Sequence, residues 1–189
     1  MFSASDLRKG LKIEIEGAPY VITDFQFVKP GKGQALYRCK MKNLITGSTL
    51  DKTYRAVEKI DKPNLEEREL IYSYQDGDNY VFMDSSTYEQ LTITPEVLGD
   101  QRWFLVEDME VAMLFFNDQP IEVTLPFFIE KEIVETEPGI RGDTATNVMK
   151  PAKIDNGYEM QVPLFINQGD RVRIDTRTGK YSDRVSKGF

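Results

Sequence analysis

Lys32 is the residue whose sequence neighbours most clearly indicate a chemical role. It lies in the run Lys29-Pro30-Gly31-Lys32-Gly33-Gln34. Proline fixes one backbone angle of this run, and the glycines permit a tight turn without side chains that would shield the lysine. We therefore expect Lys32 to project into solvent. An exposed ammonium group on a flexible stem suits phosphate contact and enzymatic acylation equally, and a lysine at a hairpin tip is also often just solvated.

A strand with two different faces is predicted directly after this run. The alternation of Ala35–Lys42 places Arg38, Lys40 and Lys42 on one face and Tyr37, Cys39 and Met41 on the other. A row of cations that leads to a projecting lysine indicates a track for an RNA backbone. A phosphate-binding P-loop is excluded, because the glycine and lysine spacing of that motif is absent.

Missing residue types exclude most enzyme chemistry. The chain has no histidine and one cysteine, Cys39, which excludes His-dependent nucleophilic catalysis, an internal disulfide and Cys/His metal centres. A carboxylate-based glycoside hydrolase is the remaining enzyme class, but no pair of carboxylates stands out. Asp76-Gly77-Asp78 and Asp84 lack the spacing of a calcium loop and favour a hairpin turn. We expect a protein that is not an enzyme and that needs no metal and no cofactor.

The net charge of −7 is unevenly distributed along the chain. Residues 1–64 contain 12 Lys and Arg against 7 Asp and Glu, a net charge of +5, whereas residues 65–128 contain 2 against 14, a net charge of −12. The basic third predicts contact with RNA, and the acidic third indicates either a basic partner or a solvated surface. Because it has neither a long apolar run nor a signal-peptide pattern, the chain is expected in the cytoplasm and away from membranes.

Alternation with period two recurs through the chain and predicts an all-β protein. The predicted strands include Tyr20–Val28, Glu69–Tyr74, Tyr88–Ile93, Arg171–Asp175 and Lys180–Val185. Pro95 after Thr94 begins a short helix that Gly99 ends. A polar linker at 61–64 and the charge break predict an SH3-like barrel at 1–64 and two OB-sized units at 65–127 and 128–189. The aromatic pairs Trp103-Phe104, Phe115-Phe116 and Phe127-Phe128 are expected in barrel cores and domain packing.

Motifs in the same order along the whole chain resemble those of the bacterial elongation factor P family. They include the run from Lys29 to Ala35, Leu11-Lys12-Ile13, Glu122-Val123-Thr124, Gly139-Ile140-Arg141-Gly142-Asp143-Thr144, Lys150-Pro151-Ala152 and Val162-Pro163-Leu164-Phe165. The resemblance extends from Asp6 to Val185. It implies an N-terminal SH3/KOW-like barrel and two OB-fold barrels, set in an L similar in outline to a tRNA.

The resemblance also implies a function in translation. It implies a factor that binds the 70S ribosome between the P and E sites and stimulates peptide-bond formation, relieving stalling at consecutive prolines. Lys32 resembles the residue that a lysyl-tRNA-synthetase-like enzyme extends, typically by β-lysylation. The surrounding Lys29, Pro30, Gly31, Gly33 and Gln34 are then implied to contact peptidyl-tRNA in the P site.

Two further sites rest on the same resemblance. Gly142, Asp143 and Thr144 are implied to lie near the E-site codon on the small subunit, although a plain turn is the alternative. Tyr181 and Arg184 are implied to contact tRNA by stacking and by phosphate binding, although both fit ordinary strand positions. The expected partners are ribosomal RNA, peptidyl-tRNA and the modifying enzyme, with the protein acting as a monomer.

Two other RNA-binding functions fit the same residues. One is that of an elongation-factor-P-like paralogue, which would share the fold and differ at the loop. The other is that of a generic OB/SH3-type RNA-binding module, which would bind RNA equally well after Lys32 was changed to Ala.

Overall fold

The computed structural model describes residues 1–138 and 148–188. Strands dominate these ranges, which confirms the all-β class. The one α-helix within them is α1 (Pro95–Leu98), which follows Thr94 and ends at Gly99 as predicted, with φ +55° at that glycine. No helix in this part of the chain is long and apolar enough to cross a membrane.

The basic third of the chain forms six strands. They are β1 (Phe2–Ser3), β2 (Lys12–Ile15), β3 (Ala18–Val28), β4 (Leu36–Asn43), β5 (Thr49–Arg55) and β6 (Lys59–Ile60). A four-stranded sheet has the order β2-β3-β4-β5, with antiparallel neighbours, and β1 pairs with β6. The longest hairpin of this sheet joins β3 to β4 and carries the candidate site at its tip.

The remaining strands form three more sheets. They are β7 (Leu65–Asp76), β8 (Asn79–Asp84), β9 (Gln90–Ile93), β10 (Glu110–Phe116), β11 (Gln119–Thr124), β12 (Phe128–Glu132), β13 (Glu135–Thr136), β14 (Met149–Lys153), β15 (Glu159–Pro163), β16 (Arg171–Asp175) and β17 (Lys180–Ser186). The sheet orders are β11-β10-β7-β8-β9, β12-β16-β17 and β13-β14-β15.

Several predicted strand limits were wrong. Small differences are the start of β3 at Ala18 rather than Tyr20, the end of β7 at Asp76 rather than Tyr74 and the end of β17 at Ser186 rather than Val185. β7 begins at Leu65 rather than Glu69, because Arg68 in its charged first half packs 4.2 Å from the Phe115 ring centroid and pairs with Asp118 at 3.0 Å. β9 begins at Gln90 rather than Tyr88, because Tyr88 follows directly on a turn at 85–87 and has φ +61°, outside the extended conformation of a strand. The prediction of Arg171–Asp175 is confirmed at both ends.

The chain divides into two compact units. The first comprises Met1–Arg68 and Met113–Glu122, and the second comprises Glu69–Ala112 and Val123–Phe189. The core of the first unit contains Ala4, Leu7, Leu11, Ile13, Ile22, Cys39, Met41, Tyr54 and Ile60. The domain limits 1–64, 65–127 and 128–189 stay a prediction.

In the second unit, the segment after α1 is bound to the C-terminal strands. The Gln101 side chain donates to the Thr176 carbonyl at 2.9 Å, and Asn156 Nδ2 donates to the Trp103 carbonyl at 2.6 Å. The Tyr158 ring stacks on Trp103 with centroids 6.2 Å apart, and its hydroxyl donates to the Gly179 carbonyl at 3.1 Å. A tight turn at Gly179 is therefore part of this packing.

Substitution of two glycines with positive φ distinguishes the effect of backbone strain on stability from the effect of side-chain packing. Gly77 has φ +60° and open space around it, whereas a Cβ on Gly179, with φ +72°, would lie 2.7 Å from Tyr158 Oη. We expect Gly77→Ala to lower the free energy of unfolding by about 1–2 kcal/mol through strain alone. Gly179→Ala should cost about 1–3 kcal/mol more because of overpacking. Urea unfolding followed by fluorescence of Trp103, the only tryptophan, measures both, and equal losses would contradict the packing argument.

Candidate functional site

The β3–β4 hairpin has one irregularity that determines its faces. Eight of the eleven residues of β3 pair with the eight residues of β4. The register shifts between Ile22 and Asp24, so Thr23 is an extra residue. Ile22 is paired with buried Met41 below this bulge, and Phe25 is paired with buried Cys39 above it. The Thr23 hydroxyl donates to the Lys40 carbonyl at 3.2 Å, which fastens the bulge to β4. The bulge therefore keeps the aromatic residues of β3 on the core side of the sheet.

The tip of this hairpin presents Lys32 to solvent. The last paired residues of the two strands are Val28 and Leu36. The loop residues from Lys29 to Gln34, which lie beyond this pair, are all exposed. Gly33 has φ +114°, a conformation that glycine adopts without strain, and no heavy atom would contact a Cβ on Gly31. The predicted exposure of Lys32 is confirmed.

The face predicted for the cations of β4 is also confirmed. Arg38, Lys40 and Lys42 are exposed and alternate with buried Cys39 and Met41. These three exposed side chains form the cation face of the hairpin.

Pairing with the neighbouring strands makes the three cations unequal. Lys40 is opposite Asp24 on β3 and Asp51 on β5, so two carboxylates lie beside it. By contrast, Gln26 and Thr53 flank Arg38, and Val21 and Thr49 flank Lys42. The alternation of β4 alone could not reveal this difference, because it depends on the register with two other strands.

A row of aromatic rings crosses the opposite face of the hairpin. Phe27 on β3 is paired with Tyr37 on β4, and Tyr37 is paired with Tyr54 on β5. The Phe27 and Tyr37 ring centroids are 5.1 Å apart. Exposure falls along this aromatic row from 50% at Phe27 to 3% at Tyr54. Lys52 Nζ lies 4.8 Å from the Tyr54 ring centroid. Sequence reasoning missed this row, because its three members are neighbours only through the sheet register.

The predicted tRNA contacts Tyr181 and Arg184 belong to the other compact unit, on β17. Tyr181 is half-buried, and burial raises the pKa of its hydroxyl. The Arg184 guanidinium lies 3.8 Å from the buried Asp170 carboxylate and 5.1 Å from the Phe165 ring centroid. Both residues thus have structural contacts, and their role toward tRNA stays a prediction.

The predicted codon site, Gly142, Asp143 and Thr144, lies outside the described residues. One hydrogen bond connects the segments before and after this site: the Lys150 ammonium donates to the Glu137 carbonyl. Lys150 is buried, and burial lowers the pKa of its side chain against the opposing effect of Glu137 and Asp170.

The described carboxylates do not form a metal site. Asp84 accepts hydrogen bonds from the backbone of Ser86 and Thr87, as in a turn, and no acidic cluster suited to a metal ion occurs in residues 1–138 and 148–188.

The aromatic pairs differ from one another in their surroundings. Phe104, Phe115 and Phe116 are buried as expected, whereas Phe127 and Phe128 are exposed and carry the Arg177 guanidinium 4.4 Å and 5.6 Å from their ring centroids. The expectation of a barrel core was wrong for Phe127 and Phe128, because both side chains are exposed and pack against Arg177. Their role in domain packing stays a prediction.

Family models match the chain in three successive segments. They are the elongation factor P KOW-like domain at residues 3–60, the elongation factor P OB domain at 65–123 and the elongation factor P C-terminal model at 129–184. These matches support the predicted order of a KOW-like barrel followed by OB-type barrels.

Known proteins with similar sequence extend over the whole chain. Elongation factor P of Desulfotalea psychrophila is 54% identical over 99% of this chain and 100% of its own length. Elongation factor P of Desulfosudis oleivorans is 50% identical with the same coverage. Among solved structures, eukaryotic translation initiation factor 5A from Methanococcus jannaschii is similar with a TM-score of 0.56 and 25% identity, over 66% of this chain and 91% of that one.

The buried end of the aromatic row predicts a pH effect. Burial, followed by the charges of Cys39 and Glu58, raises the pKa of Tyr54 from 10.0 to about 12. The neutral phenol therefore stabilises the fold fully below pH 10, and this stabilisation is lost as the pH rises toward about 12. The free energy of unfolding, measured with urea, should fall more between pH 8 and pH 11 for the parent protein than for Tyr54→Phe. Exposed Tyr88→Phe is the control, and an unchanged loss in Tyr54→Phe would disprove the assignment.

Proposed function

Because the chain belongs to the elongation factor P family of translation factors, we propose that it places Lys32 beside peptidyl-tRNA on the ribosome. In this proposal the protein binds between the P and E sites of the 70S ribosome. It stimulates peptide-bond formation where consecutive prolines stall the ribosome. Its partners are peptidyl-tRNA, ribosomal RNA and an enzyme that modifies Lys32.

The observation that carries the proposal is the projection of Lys32 from a long, paired hairpin. The paired strands extend to Val28 and Leu36. In the loop beyond them, every residue from Lys29 to Gln34 is exposed. A side chain held in this way can enter a narrow RNA-walled site while the rest of the protein stays outside. The same exposure leaves the lysine amine accessible to a lysyl-tRNA-synthetase-like enzyme, whose product would lengthen the arm.

Positioning is sufficient for such a factor. Proline restricts its own backbone and that of the preceding residue, so a nascent chain that ends in prolines rarely adopts a reactive geometry. Correct placement of two reactants can remove up to about 7–11 kcal/mol of a barrier, and a protein contact on the tRNA need supply only part of it. The chain contains no histidine, and this mechanism requires no acid–base side chain from it.

The cation face supports the proposal through its charge. Three exposed cations follow one strand toward the tip, and contacts with phosphates would fix the register of the hairpin on RNA without reading sequence. In the second unit, Tyr181 and Arg184 are proposed to contact tRNA, and the loop at Gly142, Asp143 and Thr144 to lie near the E-site codon.

Lys32 should be essential for the proposed activity. In reconstituted translation of a Pro-Pro-Pro reporter, the modified protein should restore the yield, and Lys32→Ala should not. Lys32→Arg keeps the charge but has no primary amine for acylation, so it separates charge from modification. A reporter without the proline run is the matched control, and intact mass establishes the modification.

The alternatives give different results in this experiment. Equal rescue by Lys32→Ala would indicate a generic RNA-binding module. No rescue by a protein whose mass confirms the modification would indicate a paralogue with another task.

The flanking carboxylates predict a rank order among the cations. Arg38→Ala and Lys42→Ala should each weaken ribosome binding and reduce the slope of log affinity against log salt by about 0.7–0.9. Lys40→Ala should have a smaller effect, because Asp24 and Asp51 already lower the potential beside Lys40.

The rank order is measured by equilibrium binding to ribosomes at several salt concentrations. Lys9→Ala removes an exposed cation that is not on the hairpin and serves as the control. If Lys40→Ala lost as much affinity for ribosomes as Arg38→Ala, the carboxylates paired with Lys40 would not determine the rank order.

A further inference from the structure

The exposed end of the aromatic row lies outside the described core of the first unit. Phe25 and Tyr37 pack against the core of the first unit, but Phe27 extends past that core and is 50% exposed. It is held by Tyr37, whose ring centroid lies 5.1 Å away with the planes tilted by 58°. An exposed aromatic ring that a neighbouring ring fixes in place is a ready contact surface.

Charge around the row favours a nucleic acid as the partner. Lys29 follows Phe27 by two residues, and Lys52 on the same face lies with its ammonium 4.8 Å from the Tyr54 centroid. Residues 1–64 carry a net charge of +5. Sheet aromatics flanked by cations suit unpaired nucleotides, because a base stacks on the ring while cations contact the phosphates.

We propose that Phe27 is a stacking platform for an unpaired base at the 3′ end of the P-site tRNA. This inference rests on the proposed function and deepens it. Lys32 is five positions after Phe27, so at most about 17 Å of extended chain lies between the platform and the tip. The platform therefore meets the same single strand that the tip approaches. Lys32 is then a positioning arm, and Phe27 is a second, independent contact that orients the strand.

The test uses ribosomes with and without peptidyl-tRNA in the P site and protein whose Lys32 is fully modified. Phe27→Leu keeps an apolar side chain but has no ring, and Phe27→Tyr keeps the ring. We expect Phe27→Leu to weaken binding to ribosomes with peptidyl-tRNA by about fivefold to 150-fold, the range for loss of one stacked base. Phe27→Tyr should bind like the parent protein, and ribosomes with an empty P site should not distinguish the variants.

Controls exclude trivial explanations. Tyr88→Leu removes an aromatic ring that is 73% exposed and outside the hairpin, and it should leave the affinity unchanged. Thermal unfolding of Phe27→Leu should match that of Phe27→Tyr, which shows that a loss of affinity is not a loss of fold.

Three results would overturn the inference. Unchanged affinity in Phe27→Leu would show that no base stacks there. An equal loss on ribosomes with an empty P site would assign the ring to ribosomal RNA. Normal binding combined with slower modification of Lys32 would assign it to the modifying enzyme. If the parent protein itself failed to rescue the Pro-Pro-Pro reporter, the proposed function would fail first, and the two failures are thereby distinguishable.

Discussion

The register of β3 against β4 is the constraint on which the site depends. A shift of one residue in a β-pair exchanges the two faces of a strand. Here the extra residue Thr23 makes that exchange once, between Ile22 and Asp24. Without it, Phe27 would lie on the solvent face beside the cations, and Gln26 would point toward the core. The bulge therefore separates an aromatic face from a cationic face at the base of the tip.

This separation fits the proposed function of a chain without histidine. The hairpin offers a projecting amine, a line of cations and an exposed ring, which are groups that hold RNA rather than groups that exchange protons. Each comes from a different physical source: exposed loop backbone for Lys32, strand alternation for the cations and sheet register for Phe27. Because all three are on one hairpin, a single element of the first unit carries the contacts proposed at the peptidyl end of the tRNA.

Local patterns predicted much of the fold and part of the site. The exposure of Lys32 follows from its two glycines, and the helix end at Gly99 follows from local backbone chemistry. Arg171–Asp175 was predicted at both ends because its alternation is uninterrupted. Features that depend on pairing between distant residues could not be predicted, such as the bulge at Thr23 and the carboxylates opposite Lys40. The early start of β7 was missed for the same reason, since its charged first half is stabilised by contacts with residues fifty positions away.

The proposed function requires the tip of the hairpin to reach the peptidyl end of the P-site tRNA. The most direct measurement places a photoreactive amino acid at position 32 and maps its crosslinks in ribosomes stalled at consecutive prolines. We expect crosslinks from position 32 to the 3′ end of the P-site tRNA, and none to that end from the same group at position 88. Crosslinks from position 32 only to ribosomal RNA remote from that end, or to no RNA, would contradict it.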